Sequence, residues 1–138
     1  NKNKKEKDAL ESYGKNLGLA FQIADDALDY FSSKKIFGKE IGKDFYEGKT
    51  TLPLIIIFQR GNSEERTFLK EIFKKKKRNE DDFSETLALI NKYKAVQASF
   101  KRAEYFVNVS CDALGIFQHS EEKKVLQNLT EFSLNRSF

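Results

Sequence analysis

One apolar stripe constrains the fold of this chain more than any other feature of its sequence. Apolar residues recur there at steps of three and four over about six turns, which is the period of an amphipathic α-helix. The chain contains one proline and seven glycines in 138 residues, so few residues interrupt helices elsewhere. The stripe consists of Leu10, Tyr13, Leu17, Ala20, Phe21, Ala24, Leu28 and Phe31.

Helical patterns also dominate the rest of the sequence, whereas strand patterns are scarce. The predicted later helices cover residues 52–59, 63–77, 81 or 82 to 92, 95–115 and 121–132. Ser63 and one of Asp81 or Asp82 are predicted N-caps, because their side chains can accept a backbone N–H. Glycines break the pattern between residues 32 and 48, which predicts an ordered loop with one short helical turn. We therefore predict an all-α fold of about six helices in a single domain, residues 1–138.

Composition excludes several classes of protein. The chain has 25 Lys and Arg against 21 Asp and Glu, and this excess is too small to indicate a nucleic-acid binder. A single cysteine excludes a scaffold held by internal disulfides. The longest uncharged apolar stretch, residues 52–58, is far shorter than the roughly 18 residues that span a bilayer. No signal peptide is visible, so we expect a cytoplasmic protein, and because no methionine occurs we expect a processed chain or part of a longer one.

An acidic cluster interrupts the strongest helix. At 100° per residue, Asp25, Asp26 and Asp29 fall on the same side of the predicted helix as Gln22 and Gly18. Like charges one turn apart destabilise a helix by roughly 0.2–0.5 kcal/mol per pair. A divalent cation would offset this cost, and Mg²⁺ typically binds one or two carboxylates together with substrate phosphates. For these acidic residues taken alone, a solvated acidic face is the favoured alternative.

Glycine and lysine pairs follow the acidic cluster within about twenty residues. A glycine lets the backbone approach an anion closely, and the neighbouring ammonium group supplies positive charge. Carboxylates that hold Mg²⁺ and lysines that neutralise phosphate oxygens are what diphosphate chemistry requires, so the pairs favour a metal site over a solvated face. The pairs are Gly38-Lys39, Gly42-Lys43 and Gly48-Lys49.

Together these residues resemble the second aspartate-rich region of trans-type polyprenyl diphosphate synthases. The likeness is greatest to the long-chain, octaprenyl-type branch that makes quinone side chains. It implies a helical isoprenoid-synthase fold, of which this chain is the C-terminal part only. The motif positions are Gly18-x-x-Phe21-Gln22-x-x-Asp25-Asp26-x-x-Asp29-Tyr30 and Gly38-Lys39-x-x-Gly42-x-Asp44-x-x-x-Gly48-Lys49-x-Thr51-Leu52-Pro53.

The resemblance implies a transferase, a prenyltransferase that condenses isopentenyl diphosphate head to tail with an allylic diphosphate in the presence of Mg²⁺. By position, Asp25 would bind Mg²⁺ directly, and Asp26 and Asp29 would bind it directly or through water. The diphosphate would be held by Gln22, Lys39 and Lys49, and the prenyl pocket would include Phe21.

Part of the family pattern is missing from this chain. The family has a first aspartate-rich motif upstream of this region, whereas Asp81-Asp82 lies downstream and no aspartate follows at the required spacing. We therefore expect the chain alone to be inactive. The alternative is a non-catalytic truncated homologue or structural partner of a full-length synthase. We also expect a homo-oligomer, since half a domain leaves apolar faces such as Phe21–Leu28 uncovered, and membrane contact only at the periphery, through the product.

Three remaining features have simple interpretations. The basic run Lys74–Arg78 could contact nucleic-acid phosphates, but we interpret it as a solvated helix end or loop and expect no nucleic-acid partner. His119 is interpreted as an exposed turn residue, and Cys111 as a small core residue.

Overall fold

The structure, a computed structural model, describes residues 2–30 and 41–136. Within these ranges the chain forms helices and no strand, which confirms the predicted all-α class. None of the described helices is both long and apolar enough to cross a membrane. The helices are α1 (Lys2–Leu28), α2 (Lys43–Tyr46), α3 (Leu52–Arg60), α4 (Ser63–Lys74), α5 (Glu80–Lys92), α6 (Ala95–Ala113), which a 3₁₀ turn at Leu114–Ile116 follows, and α7 (Glu121–Arg136).

Helices α4 and α5 begin with the same arrangement of side chains. The Asn62 side chain accepts a hydrogen bond from the Glu65 amide, and the Glu65 side chain accepts one from the Asn62 amide. Asn79 and Asp82 repeat this reciprocal pair at the start of α5. The caps are therefore asparagines that precede the predicted Ser63 and Asp81 or Asp82, and those cap predictions were wrong by one to three positions. Asn, Ser and Asp can all cap a helix, so composition alone does not choose between neighbours.

The chain divides into two compact units. The first comprises residues 1–24 and 100–138, and within it the Tyr13 hydroxyl donates a hydrogen bond to the Leu126 carbonyl at 2.9 Å. The predicted stripe is buried along most of α1, although Leu10 is exposed and Phe31 lies outside the described residues. The buried members of the stripe are Tyr13, Leu17, Ala20, Ala24 and Leu28.

The second unit, residues 25–99, has an aliphatic core and an aromatic cluster. The aliphatic core uses α3, α4 and α5, with Ile57 and Ile90 fully buried. The aromatic cluster surrounds α2, whose Phe45 ring is buried and makes edge-on contacts at centroid distances of 5.3–6.5 Å. The rings around Phe45 are Tyr30, Tyr46, Phe73 and Phe83. Helix α2 is the short turn predicted between residues 32 and 48.

Candidate functional site

Helix α1 ends three residues earlier than its apolar stripe predicts. The amides of Asp29 and Tyr30 donate to carbonyls three residues back, at 3.3 and 3.1 Å, so the final turn tightens and the α-helix stops at Leu28. Asp29 therefore lies just beyond the α-helix that carries Asp25 and Asp26. The three carboxylates differ accordingly: Asp25 is exposed, the Asp26 side chain is 13% exposed, and Asp29 is fully buried.

The buried carboxylate of Asp29 holds the start of α2. Its Oδ1 accepts a hydrogen bond from the Asp44 amide at 3.1 Å, and its Oδ2 accepts one from the Phe45 amide at 3.2 Å. The Asp29 carbonyl also accepts the Gly42 amide at 3.1 Å. A buried charge is tolerated only when it is hydrogen-bonded or paired. These bonds therefore fix α2 against the end of α1.

Two glycines with left-handed backbone conformation flank α2. Gly42 has φ of +83° and Gly48 has φ of +78°, and few side chains tolerate this region. A Cβ at Gly42 would lie 3.0 Å from the rings of Phe83 and Tyr46, and a Cβ at Gly48 would lie 2.8 Å from Nη2 of Arg78. The sequence suggested that these glycines admit an anion, and the structure adds a conformational requirement that is independent of any ligand.

Lys49 follows α2 directly and reaches the end of α1. Its amide donates to the Asp44 carbonyl at 2.9 Å, and its Nζ lies 3.3 Å from Oδ1 of Asp26. The charge of Asp26 and this hydrogen bond raise the pKa of the Lys49 ammonium group, and the charges of Asp44 and Asp25 raise it further. The structure thus brings Lys49 into contact with Asp26, one of the three predicted metal ligands.

The position of Asp25 and Asp26 at the end of α1 is electrostatically unfavourable. Asp25 and Asp26 occupy the last turn of α1, where the helix dipole presents partial negative charge and no basic residue is present. An acid at this end costs about 0.3–1 kcal/mol. Lys49, which follows α2, supplies one compensating charge, at 3.3 Å from Asp26. One carboxylate of the predicted site, that of Asp26, therefore lies beside a lysine.

The donor set matches a cation that arrives with phosphate oxygens. Among residues 2–30 and 41–136, no three Asp, Glu, His or Cys side chains form a ready metal cluster. Mg²⁺, however, usually takes one or two carboxylates and completes its shell with water and phosphate. Asp25 and Asp26 supply such carboxylates. The assignment of Asp29 as a ligand remains a prediction, and its oxygens already accept two backbone N–H groups.

The other predicted site residues are less constrained by the structure. Gln22 is exposed and Phe21 is half-buried, both on α1. Lys39 lies outside the described residues. Their assigned roles stay predictions.

Two residues outside the site were also interpreted from the sequence. His119 is confirmed as an exposed bend before α7, whereas Cys111 is half-buried and not a core residue.

Sequence reasoning missed one residue next to this site. Arg78 ends the basic run that was interpreted as solvated, but the structure ties it to α2. Its Nε donates to the Phe45 carbonyl at 3.0 Å, its Nη1 donates to the Lys75 carbonyl at 2.9 Å, and its guanidinium lies 5.4 Å from the centre of the Phe73 ring. The sequence did contain one signal: this run of lysines ends in an arginine, whose planar guanidinium can bind several acceptors at once.

Comparison with known proteins gives consistent matches over this region. A family model described as Polyprenyl synthetase matches residues 1–90. Octaprenyl diphosphate synthase from Haemophilus influenzae is 35% identical over 130 residues, which is 94% of this chain and 39% of that protein. Short chain isoprenyl diphosphate synthase from Methanothermobacter thermautotrophicus is 32% identical over 128 residues, or 93% of this chain and 39% of that protein. The chain thus spans less than half the length of these relatives.

Solved structures agree with the sequence matches. Decaprenyl diphosphate synthase from Rhodobacter capsulatus superposes with a TM-score of 0.87 at 30% identity, over 98% of this chain and 42% of that one. A polyprenyl synthase from Caulobacter crescentus, complexed with calcium and isoprenyl diphosphate, has a TM-score of 0.82 at 37% identity, over 95% of this chain and 40% of that one. The motifs, the helical fold and these matches agree, and the chain belongs to the polyprenyl synthetase family, corresponding to the C-terminal part of its members.

Proposed function

We propose that this chain carries the second aspartate-rich site of a Mg²⁺-dependent polyprenyl diphosphate synthase. Such an enzyme condenses isopentenyl diphosphate head to tail with an allylic diphosphate. The observation that carries the proposal is the approach of Lys49 Nζ to Asp26 Oδ1 at 3.3 Å, between residues 23 positions apart. It places an ammonium group against the Asp26 carboxylate, next to Asp25 in the same helix, which is a suitable arrangement for a diphosphate with its cation.

Each side chain has a distinct task in this proposal. Asp25 and Asp26 hold the cation, and Lys49 binds an oxygen of the diphosphate leaving group. Bound Mg²⁺ would neutralise the negative charge that grows on the diphosphate as the allylic C–O bond breaks. A lysine is a cation throughout the neutral range, and the neighbouring acids raise the pKa of Lys49 further.

Finer features of the proposal rest on the resemblance and the relatives. Gln22 and Lys39 complete the diphosphate site, Asp29 contributes to the metal site directly or through water, and Phe21 lies near the prenyl chain. The calcium and isoprenyl diphosphate bound to the Caulobacter crescentus protein support a divalent cation and this substrate class. The octaprenyl and decaprenyl synthases among the relatives support a long-chain product. We further propose that the protein is a cytoplasmic homo-oligomer whose membrane contact is peripheral and occurs through its product.

Calorimetric titration with inorganic pyrophosphate tests the site. We expect Mg²⁺ to strengthen pyrophosphate binding, and Asp25→Asn to weaken the Mg²⁺-dependent binding by about tenfold or more, a loss of about 1.4 kcal/mol. Asp81→Asn is the matched control, because Asp81 is an exposed acid in the other aspartate pair. Affinity that is independent of Mg²⁺, or an equal loss with Asp81→Asn, would overturn the site.

The alternative is a non-catalytic homologue that pairs with a full-length synthase. It follows from the sequence itself, in which no first aspartate-rich motif occurs within residues 1–138. Incubation of the isolated chain with farnesyl diphosphate and isopentenyl diphosphate separates the two. We expect no product from this chain alone, and product after addition of a separately made upstream part of that relative. Turnover by the isolated chain would exclude the alternative.

A further inference from the structure

Helix α2 cannot be stable without support from other elements. It contains four residues, and a single helical turn costs more to nucleate than its own hydrogen bonds return. Asp29 supports its first amides, as described above. At the other end of the helix, the carbonyls of Lys43, Asp44 and Phe45 accept the amides of Glu47, Lys49 and Gly48 at 2.9–3.1 Å. A carbonyl oxygen has two lone pairs and can accept a second hydrogen bond.

Arg78 supplies donors for that other end. Its Nε donates to the Phe45 carbonyl at 3.0 Å, and its Nη2 lies 3.5 Å from the Tyr46 carbonyl oxygen. Its Nη1 donates to the carbonyls of Ile72 at 3.2 Å and Lys75 at 2.9 Å, at the end of α4. One guanidinium therefore joins the C-terminal ends of α2 and α4, where a positive charge is favourable.

The same guanidinium lies beside the backbone that precedes Lys49. A Cβ at Gly48 would lie 2.8 Å from Nη2 and 3.1 Å from Cζ of Arg78, so the contact requires glycine at this position. Phe73 closes the other side, with its ring centre 5.4 Å from Cζ of Arg78 and 5.5 Å from the ring centre of Phe45. Arg78 therefore fixes the position of the residue immediately before Lys49.

We propose that Arg78 is a positioning residue for the diphosphate site, acting through α2 and Gly48 on Lys49. This inference rests on the proposed function. The effect of Arg78 passes through the backbone that places the Lys49 ammonium group at the end of α1. Lysine cannot replace it, because a planar guanidinium donates from several nitrogens to carbonyls of both helices, whereas an ammonium group has a single nitrogen.

Amide hydrogen exchange in the unliganded protein tests the support of α2. The amides of Tyr46, Glu47, Gly48 and Lys49 are hydrogen-bonded within this segment and report on it directly. We expect Arg78→Lys and Arg78→Ala to accelerate their exchange by about tenfold or more while the α3 amides keep their rates. The lysine variant keeps charge and stem, and it remains informative if the alanine variant fails to fold. Unchanged exchange in both variants would overturn the inference.

Arg66→Ala is the matched control for a general loss of stability. Arg66 also donates to a backbone carbonyl, that of Phe58 at 2.8 Å, and lies 5.9 Å from the centre of the Phe58 ring. The Arg66→Ala substitution removes the same kinds of contact from α3 and leaves the contacts of α2 in place. Equal acceleration at residues 46–49 in Arg66→Ala would show that Arg78 acts only through global stability, which also overturns the inference.

A double-mutant cycle with Lys49 tests whether the effect reaches the ligand. We expect Arg78→Lys to weaken Mg²⁺-dependent pyrophosphate binding by about fivefold when Lys49 is present, and by less than about twofold in the Lys49→Ala background. Equal losses in both backgrounds would contradict action through Lys49. If the unaltered chain shows no Mg²⁺-dependent binding, the proposed function fails together with the role of Arg78 at a diphosphate site, and the exchange rates then show separately whether Arg78 orders residues 43–49.

Discussion

Asp25 and Asp29 carry the same side chain four residues apart, but they lie in opposite environments. Asp25 is exposed at the negative end of α1, whereas Asp29 is buried and accepts two amides of α2. Their roles in stability should therefore differ even if both act in the metal site. At the scale of single residues, burial and hydrogen-bond partners decide the effect of a substitution more than residue type does.

We predict that Asp29→Asn lowers the free energy of unfolding by about 1–3 kcal/mol, because the carboxamide offers one acceptor where two N–H groups need one each. Asp25→Asn should change it by less than about 1 kcal/mol, since it removes an exposed charge at an unfavourable helix end. Urea denaturation of both variants checks the difference. Equal effects would contradict the structural role of Asp29.

The pKa of Lys49 reports its contact with Asp26. We predict that Asp26→Asn lowers the pKa of the Lys49 ammonium group toward its ordinary value, because the largest cause of its increase is the Asp26 charge. Titration of the side-chain nitrogen resonance by NMR measures it. Asp81→Asn should leave the Lys49 pKa unchanged, and a Lys49 pKa that stays raised in Asp26→Asn would mean that other acids dominate.

At the scale of helices, the asparagine caps of α4 and α5 are the simplest features to test. We predict that Asn79→Ala costs about 1 kcal/mol of stability, because the Asp82 amide loses its acceptor at the start of α5. Asn91→Ala, an exposed position near the other end of α5, should have a much smaller effect. Chemical denaturation compares the two, and equal losses would argue against the cap.

Glu65 connects the start of α4 with the end of α5. It accepts hydrogen bonds from Lys92 Nζ at 2.7 Å, from the Tyr93 hydroxyl and from the Asn62 amide. These hydrogen bonds lower the pKa of Glu65 to about 2. The bond from Lys92 has the largest effect, followed by those from Tyr93 and Asn62. Its ordinary value is about 4.3.

A pKa that is lower in the folded protein makes the ionised carboxylate a source of stability above about pH 4.3. This contribution decreases as the pH falls through the folded value of about 2. We predict that Glu65→Gln flattens the pH dependence of the free energy of unfolding between those two pH values. Glu64→Gln, at the exposed neighbouring position, should keep the slope of the unaltered protein, and the same slope in Glu65→Gln would contradict the prediction.

The helices were predictable because their signals are local. Apolar spacing, the glycines and the single proline predicted each long helix and placed its ends within a few residues. The end of α1 was not predictable, because the last turn tightens where Asp29 accepts hydrogen bonds from α2, which lies about fifteen residues further along the chain. The contact between Arg78 and Phe45 joins residues 33 positions apart, and no spacing rule indicates it. The motif suggested that Lys49 lies near Asp26, whereas the contacts of Asp29 and Arg78 with α2 were not predictable.

At the scale of the whole chain, large apolar side chains remain exposed. The face predicted to be uncovered, Phe21–Leu28, is not the main one, since Ala24 and Leu28 are buried. The exposed stripe on α7 is larger, with Val125 63%, Leu129 41% and Phe132 62% exposed. Apolar side chains that recur at this spacing on one helix face suit contact with another protein surface.

We predict that the chain self-associates and that Phe132→Asp shifts it toward the monomer, because a charge on the exposed stripe of α7 opposes its burial. Sedimentation velocity at several concentrations measures the association. Lys124→Asp, an exposed polar position on the same helix, should have little effect. A monomer at every concentration would contradict the prediction.

The ion pair between Lys49 and Asp26 has a consequence for the order of binding. A bare metal ion that approaches Asp26 must compete with an ammonium group 3.3 Å away. A metal ion that arrives already chelated by diphosphate offers Lys49 a new anionic partner in exchange for the one it loses. On the proposed function, Lys49 would therefore compete with a bare metal ion for Asp26, and the site would favour a metal ion that enters together with its diphosphate.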